Sequence, residues 1–274
     1  MKENKKNGRG SARRVFAALG FVAAATAAVA LAFAYAKLRA LWLEQCVVTD
    51  VASQVAITDG KMVRSDVIAL EFGLKNGANL ALIDFEERRR ETLKKIPNIR
   101  DITISRRLPD RVSIDVEERV PVVRLGIKGR KGDTGNVADS DGVVFISSSG
   151  TQILPTIREA AAPGTLKGQT LSGHALAALR LIETCRTSYP ELAIVEADVS
   201  KPDYIAVVLA RDYSLAKIVW TGMDEPSDAM MPSMKERLDK LSMAISSNVD
   251  RGIRVWNATL PGQPITGDTK RGSL

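Results

Sequence analysis

Two adjacent carboxylates, Glu117 and Glu118, stand in the stretch RRLPDRVSIDVEERVPV (106–122) and invite an acid/base reading. A carboxylate pair does such work when two environments drive its pKa values apart, so that one group donates a proton and the other accepts it. Little else in the chain could do chemistry. His174, in LSGHALAAL, is the single histidine, and Cys46 and Cys185 are the two thiols. No G-x-S-x-G elbow and no Cys with a paired His accompanies them. One histidine gives no basis for a His/Cys metal centre. GRKGDTG (129–135) is glycine-rich and basic but lacks the P-loop spacing and opens no helix. We therefore expect no catalytic residue, no cofactor and no metal, and hence no enzyme.

The elements that would position Glu117 and Glu118 argue the same way. RDITIS and RVSIDVE alternate strictly, with Ile102 and Ile104 on one face of the first and Val112, Ile114 and Val116 on one face of the second. Successive strand residues point to opposite faces, so Glu117 and Glu118 diverge. Asp115 and Glu117 share a face, but it is the solvent side of the hairpin. Pairing Ile104 with Ile114 leaves a three-residue turn, Leu108-Pro109-Asp110, within the usual hairpin range.

Upstream, CVVTDVASQVAI (46–57) reads as a strand and the segment from Ser65 to Gly73 as a short helix. NLALIDFEERRRETLKKIP reads as a second helix with Leu82, Phe85, Leu93 and Ile96 on its inner face, stopped by Pro97. Downstream, VADSDGVVFI reads as a hairpin about Asp141-Gly142 and ILPTI as a short extended piece. The segment TLSGHALAALRLIETC is helical, and AIVEADV, YIAVVLA and LAKIVW are strands. A long helix runs from about 228 to 248 with Leu238, Leu241 and Ile245 at helical spacing. GIRVWNATL is read as the last strand, and 261–274 as a loose tail.

The N-terminus decides the compartment. Six basic residues against one acid precede a charge-free run of 22 residues, Val15 to Ala36. As a helix that run is about 33 Å long, enough to cross a hydrocarbon core of about 30 Å. The basic flank predicts a cytoplasmic N-terminus and an exported remainder. AFAYAK offers A-x-A cleavage sites, so a cleaved signal peptide is the alternative, although signal cores are shorter, about 7–15 residues. Without its tail the chain carries 33 basic against 31 acidic residues, so its net charge of +7 belongs mainly to that tail. The near-neutral remainder gives no electrostatic reason to expect nucleic-acid binding.

The resulting class is α+β: 1–14 a cytoplasmic basic tail, 15–36 a transmembrane helix, 45–119 a strand–helix–helix–hairpin module, 120–260 a mixed β domain with two helices, and 261–274 a flexible tail. This layout resembles the FtsQ/DivIB family of bacterial division proteins, whose small module is a POTRA domain. The resemblance rests on IPNIRDITISRRLPDRVSIDVEERVPVVRL and on VADSDGVVF followed by LPTI. It implies a non-enzymatic scaffold, single-pass in the inner membrane, with its bulk in the periplasm at the division septum. It implies coiled-coil partners of the FtsB/FtsL type, taken up as an added strand on an edge strand late in the β domain. The matching strand here is GIRVWNATL, with Arg254, Val255, Trp256 and Asn257 as candidate contacts. Trp256 is either an interface anchor or a core residue. Arg107 and Asp110, at the hairpin tip, are candidate contacts for other division proteins.

Overall fold

The computed structural model describes residues 8–58, 60–107, 109–129, 135–147, 150–159, 167–211, 214–219, 227–247, 252–259 and 264–269. Arg130 to Thr134 of the glycine-rich loop, and Leu108 of the hairpin turn, lie outside them. The chain separates into two compact units. One comprises 1–59, 65–89 and 103–115; the other comprises 60–64, 90–102 and 116–274.

The first unit begins with α1 (Gly8–Gln45), unbroken through the charge-free run and nine residues beyond it. No linker follows. The Cys46 N–H donates to Leu43 O at 3.1 Å, and Asn79 Nδ2 donates to the same carbonyl at 2.8 Å. Leu80 N then donates to Cys46 O, Val48 N to Ala78 O and Gly77 N to Val48 O. Carbonyls orphaned at a helix C-terminus need such partners, and here a loop of the folded unit supplies them. Cys46 and Val48 are completely buried in the process.

The segment read as one strand over 46–57 is instead a short helix, α2 (Val51–Gln54), and a short strand, β1 (Val55–Ile57). Local side chains overrule the β-branched composition. Asp50 Oδ1 accepts from Ala52 N as an N-cap, and Gln54 Oε1 accepts from Thr49 N and Asp50 N. Next come α3 (Ser65–Phe72), α4 (Phe85–Lys95), β2 (Ile99–Arg107) and β3 (Arg111–Glu118). The small sheet has the order β1-β3-β2, and β1 runs parallel to β3 with Val55 opposite Val112 and Ile57 opposite Ile114. Three residues separate β2 from β3, as the alternation predicts. The second helix starts later than its sequence pattern suggests. Asp84 Oδ1 accepts from Glu87 N and sets the boundary, which leaves Leu82 in a turn and 69% exposed rather than on an inner face.

In the second unit the strands are β4 (Val123–Ile127), β5 (Asn136–Ala138), β6 (Val144–Ile146), β7 (Thr156–Glu159), β8 (Ile194–Asp198), β9 (Tyr204–Leu209), β10 (Leu215–Val219), β11 (Val255–Ala258) and β12 (Thr266–Asp268). They form one nine-stranded sheet in the order β12-β11-β10-β9-β8-β7-β4-β5-β6. The two helices are α5 (Gly173–Ser188) and α6 (Ser227–Ser247). Register lines up Trp256, Ala216, Val207, Ala197, Ile157 and Leu125 as successive cross-strand partners. Opposed residues share a face, so this row is one stripe across six strands. All six belong to the buried core, together with Leu179 and Ile182 of α5 and Leu238, Leu241 and Ile245 of α6.

In the last turn of α5 and at its C-cap stand two groups that hold their protons tightly. Burial pushes the Cys185 thiol up to about 12, with the Glu191 charge adding to it. Burial, followed by its hydrogen bond to Asp239 at 2.5 Å, likewise raises Tyr189 to about 12. A raised folded-state pKa contributes stability that is complete below the unfolded pKa, about 9 for the thiol, and lost as pH climbs through the folded value. Urea midpoints of the chain in detergent should therefore fall between about pH 9 and 12, and Tyr189→Phe should flatten the upper part of that fall. A midpoint flat to pH 12 would contradict the assignment. Native Cys185 should also resist alkylation at pH 8, since only the thiolate reacts.

Candidate functional site

The two carboxylates that suggested chemistry are employed separately. Glu117 is exposed and meets Arg100 at 3.3 Å. Glu118 turns the other way and accepts from three consecutive backbone N–H groups, those of Lys61 (2.9 Å), Met62 (2.8 Å) and Val63 (2.7 Å). Gly60 N donates to Val63 O to close that turn, and a side chain at Gly60 would run into the Glu118 carboxylate. Sequence reasoning missed this role. The signal that could have found it was Gly60 upstream, which opens a turn whose amides need an acceptor.

Arg119, the next residue, is mostly buried. Its Nε donates to Pro97 O at 3.1 Å, and its Nη1 meets Asp139 Oδ2 at 2.6 Å. Asp139, 4% exposed, uses its other oxygen to accept from Val143 N in the turn between β5 and β6. Arg119 N also donates to Asn98 O, and Asn98 Nδ2 donates to Ile146 O. The Glu-Arg-Val-Pro exit of β3 is thus a junction of hydrogen bonds.

The candidate contacts on β11 divide by position. Trp256 is 4% exposed and sits in the core stripe, which removes it as a free interface anchor. Its register partner Ala216 explains this, because the face it shares is the one that α5 and α6 residues pack against. Asn257 is exposed, and its Oδ1 accepts from Thr259 N and Oγ1. Arg254 is exposed, with its N–H donating to Asp268 O at 2.8 Å and its carbonyl accepting from Leu215 N at 2.9 Å. Val255 is partly buried and pairs with Leu215 on one side and Asp268 on the other.

That pairing corrects a second expectation. β11 is not the edge: β12, inside the segment read as a loose tail, lies antiparallel to it. Among the described residues β12 ends the sheet, and all three of its residues are exposed. The Asp268 carbonyl faces β11, so by the alternation of an antiparallel ladder Gly267 directs its N–H and C=O to the open side. Gly267 lies opposite Trp256, and a Cβ there would fall 2.6 Å from Ile253 Cδ1. Glycine is the residue that lets Ile253 cover this end.

In the first unit, Arg107 is exposed at the end of β2, and Asp110 is half-buried, accepting from Gln54 Nε2 at 3.3 Å. Arg107 lines a hollow of about 510 Å³ with Gln54, Ser105, Arg111, Ser113 and Asp115. The Arg106 guanidinium next to it lies 5.2 Å from the Phe85 ring centroid, a packing role.

Residues 52–119 match the family model of the POTRA domain, FtsQ-type. No curated protein matches the chain. The matched span takes in β1 to β3 and the Glu118–Arg119 junction, and α1 before it is long and apolar enough to cross a membrane. The domain and the helix point to a single-pass membrane protein. An FtsQ-type POTRA domain at 52–119 supports placing the chain in the FtsQ/DivIB family.

Proposed function

We propose that the protein is a non-enzymatic scaffold of the bacterial division complex, anchored by α1 with its N-terminus in the cytoplasm and its folded units outside, at the septum. The observation that carries this reading is the FtsQ-type domain following one apolar helix with a basic N-terminal flank. Its partners are division proteins of the coiled-coil FtsB/FtsL type. A strand from the partner adds to β12, where the alternation turns the main-chain groups of Gly267 to the side that carries no strand among the described residues. Main-chain hydrogen bonds supply the affinity in such augmentation, and Arg254, just before β11, and Asn257 on β11 lie one strand in from the added strand. Arg107 and Asp110 serve a second contact with other divisome components.

The cellular test is depletion with imaging of a tagged copy. Septal gathering and a block in septation are expected; dispersed signal with normal division would refute the assignment. Intact-mass measurement decides the alternative of a released periplasmic module, since a mature chain beginning just after Ala36 would replace the anchor. For the edge itself, Thr269→Pro, one residue past β12, removes the next donor that the alternation would direct to the open side. It should weaken coiled-coil partner binding about tenfold, near the upper value of one net hydrogen bond, with the urea midpoint unchanged. Val255→Pro acts inside the sheet and should lower both binding and stability. Unchanged affinity in both variants would exclude this edge.

A further inference from the structure

The hollow of about 510 Å³ beside the β2–β3 turn is lined entirely by residues of the first unit. Its place follows from strand parity. On β3, Val112 and Ile114 are buried, so Arg111, Ser113 and Asp115 stand on the opposite face. Ser105 and Arg107 line the same hollow from β2, and register sets Ala56 of β1 opposite Ser113. Short side chains, those of Ala56, Ser105 and Ser113, thus leave a depression in the sheet face. Arg107 ends β2 and Arg111 opens β3, so both border it at the turn. Its volume falls in the range of about 300–1,000 Å³ that holds a bound group. The two guanidiniums have no acidic partner among the described residues. Both nearby carboxylates are taken by neutral donors instead. Asp110, in the turn between the arginines, accepts from Gln54 Nε2 at 3.3 Å, and Asp115 accepts from Thr58 Oγ1 at 2.7 Å. Other arginines of this hairpin are engaged: Arg100 meets Glu117 at 3.3 Å, and Arg106 lies over the Phe85 ring.

We infer that this hollow takes up a carboxylate of a partner protein, the side chain of an Asp or Glu in an extended acidic segment, held by Arg107 and Arg111. The inference rests on the second contact proposed above and names the chemistry that its partner must present. Charge complementarity carries it. The planar fork of arginine matches a carboxylate in bidentate fashion and forms charge-assisted hydrogen bonds about twice as strong as neutral ones. The short side chains of the sheet face leave an acidic side chain room to reach the guanidiniums. Asp115 gives the segment a direction. It lies four residues along β3 from Arg111, about 13 Å, so the turn end of the hollow attracts an acid and the other end repels one. A lipid phosphate is the other source of an oxyanion. Surfaces that seat on a bilayer bring Leu, Phe or Trp to it, and none of these lines the hollow among the described residues.

The test uses the full chain in its own membrane, with photoreactive benzoylphenylalanine in place of Ser53, which is exposed and lines the hollow. Adducts formed on illumination are identified by mass spectrometry, down to the captured segment. That segment should carry an Asp or Glu. The double variant Arg107→Glu/Arg111→Glu should lower the yield of the adduct about tenfold or more, the effect of losing one charge-assisted hydrogen bond. Changing the captured acid to Lys should restore capture by the double variant and abolish it with the wild-type arginines. Both arginines are exposed at a turn, so the urea midpoint should not move. The charge-swap rescue, which needs a folded site, separates lost binding from lost folding. Overturning results are an adduct with lipid, a captured segment without an acid, a yield unchanged in the double variant, or no adduct above that of the same probe at Leu70. An acidic segment captured from a protein that takes no part in division would support this inference and overturn the divisome assignment of the contact.

Discussion

Arg119→Ala should destabilise the second unit by about 3–5 kcal/mol, the cost of leaving one half of a buried ion pair without its partner. Asp139 is 4% exposed and cannot recover water in compensation. It is also tied to Val143 N, so it cannot swing out without opening the turn between β5 and β6. The decisive comparison is the double variant Arg119→Ala/Asp139→Asn. Asparagine keeps an acceptor for Val143 N and removes the charge, so at least half of the loss should return. Urea unfolding of the detergent-solubilised chain measures both. A single-variant loss below about 1 kcal/mol, the worth of a solvated surface pair, would show that the pair is not buried in solution. An unrescued double variant would place the cost in the Pro97 contact instead.

Glu118→Ala should release the turn at Lys61, Met62 and Val63. Hydrogen bonds to a charged acceptor contribute about 1.5–3 kcal/mol each but are not additive, so a combined loss of about 2–4 kcal/mol is expected. The effect is local before it is global. Amide exchange at Met62 and Val63 should accelerate about 30- to 1,000-fold, since each 1.4 kcal/mol is a factor of ten. Glu118→Gln keeps a single side-chain acceptor oxygen and should fall between wild type and alanine. Exchange at these amides unchanged in Glu118→Ala would mean that other acceptors hold the turn.

Both predictions concern residues that the sequence marked and only partly explained. Alternation exposed β2 and β3, because Ile102, Val112 and Ile114 repeat with period two and are buried as that period requires. The hairpin about Asp141-Gly142, the two long helices and the three strands from 194 to 219 were legible for the same reason: each has an uninterrupted apolar period. Failures occur where a hydrogen bond outweighs the pattern. Half of the segment 46–57 is β-branched, yet Asp50 and Gln54 capture nearby amides and wind 51–54 into α2. Leu82 matches the helical period of α4, but Asp84 caps the helix after it. β12 carries no strand signal, since Gly267 and Asp268 are poor strand formers in a three-residue run, and the ladder offered by β11 makes it a strand. Trp256 could not be placed from its own neighbours. Its burial follows from register with Ala216 and Val207, set far away in the chain.

The position of β12 in chain order has a consequence in time. Among the described residues it is the last strand in the chain and the outermost in its sheet, and it can pair only after β11 has lain down parallel to β10. Synthesis runs from the N-terminus, so α1 and the POTRA domain can be inserted and folded while the proposed docking edge does not yet exist. Engagement of a partner strand would then certify a finished molecule. On the proposed function, a chain clipped before residue 264 would keep α1 and residues 52–119 yet lack the strand that takes up its partner.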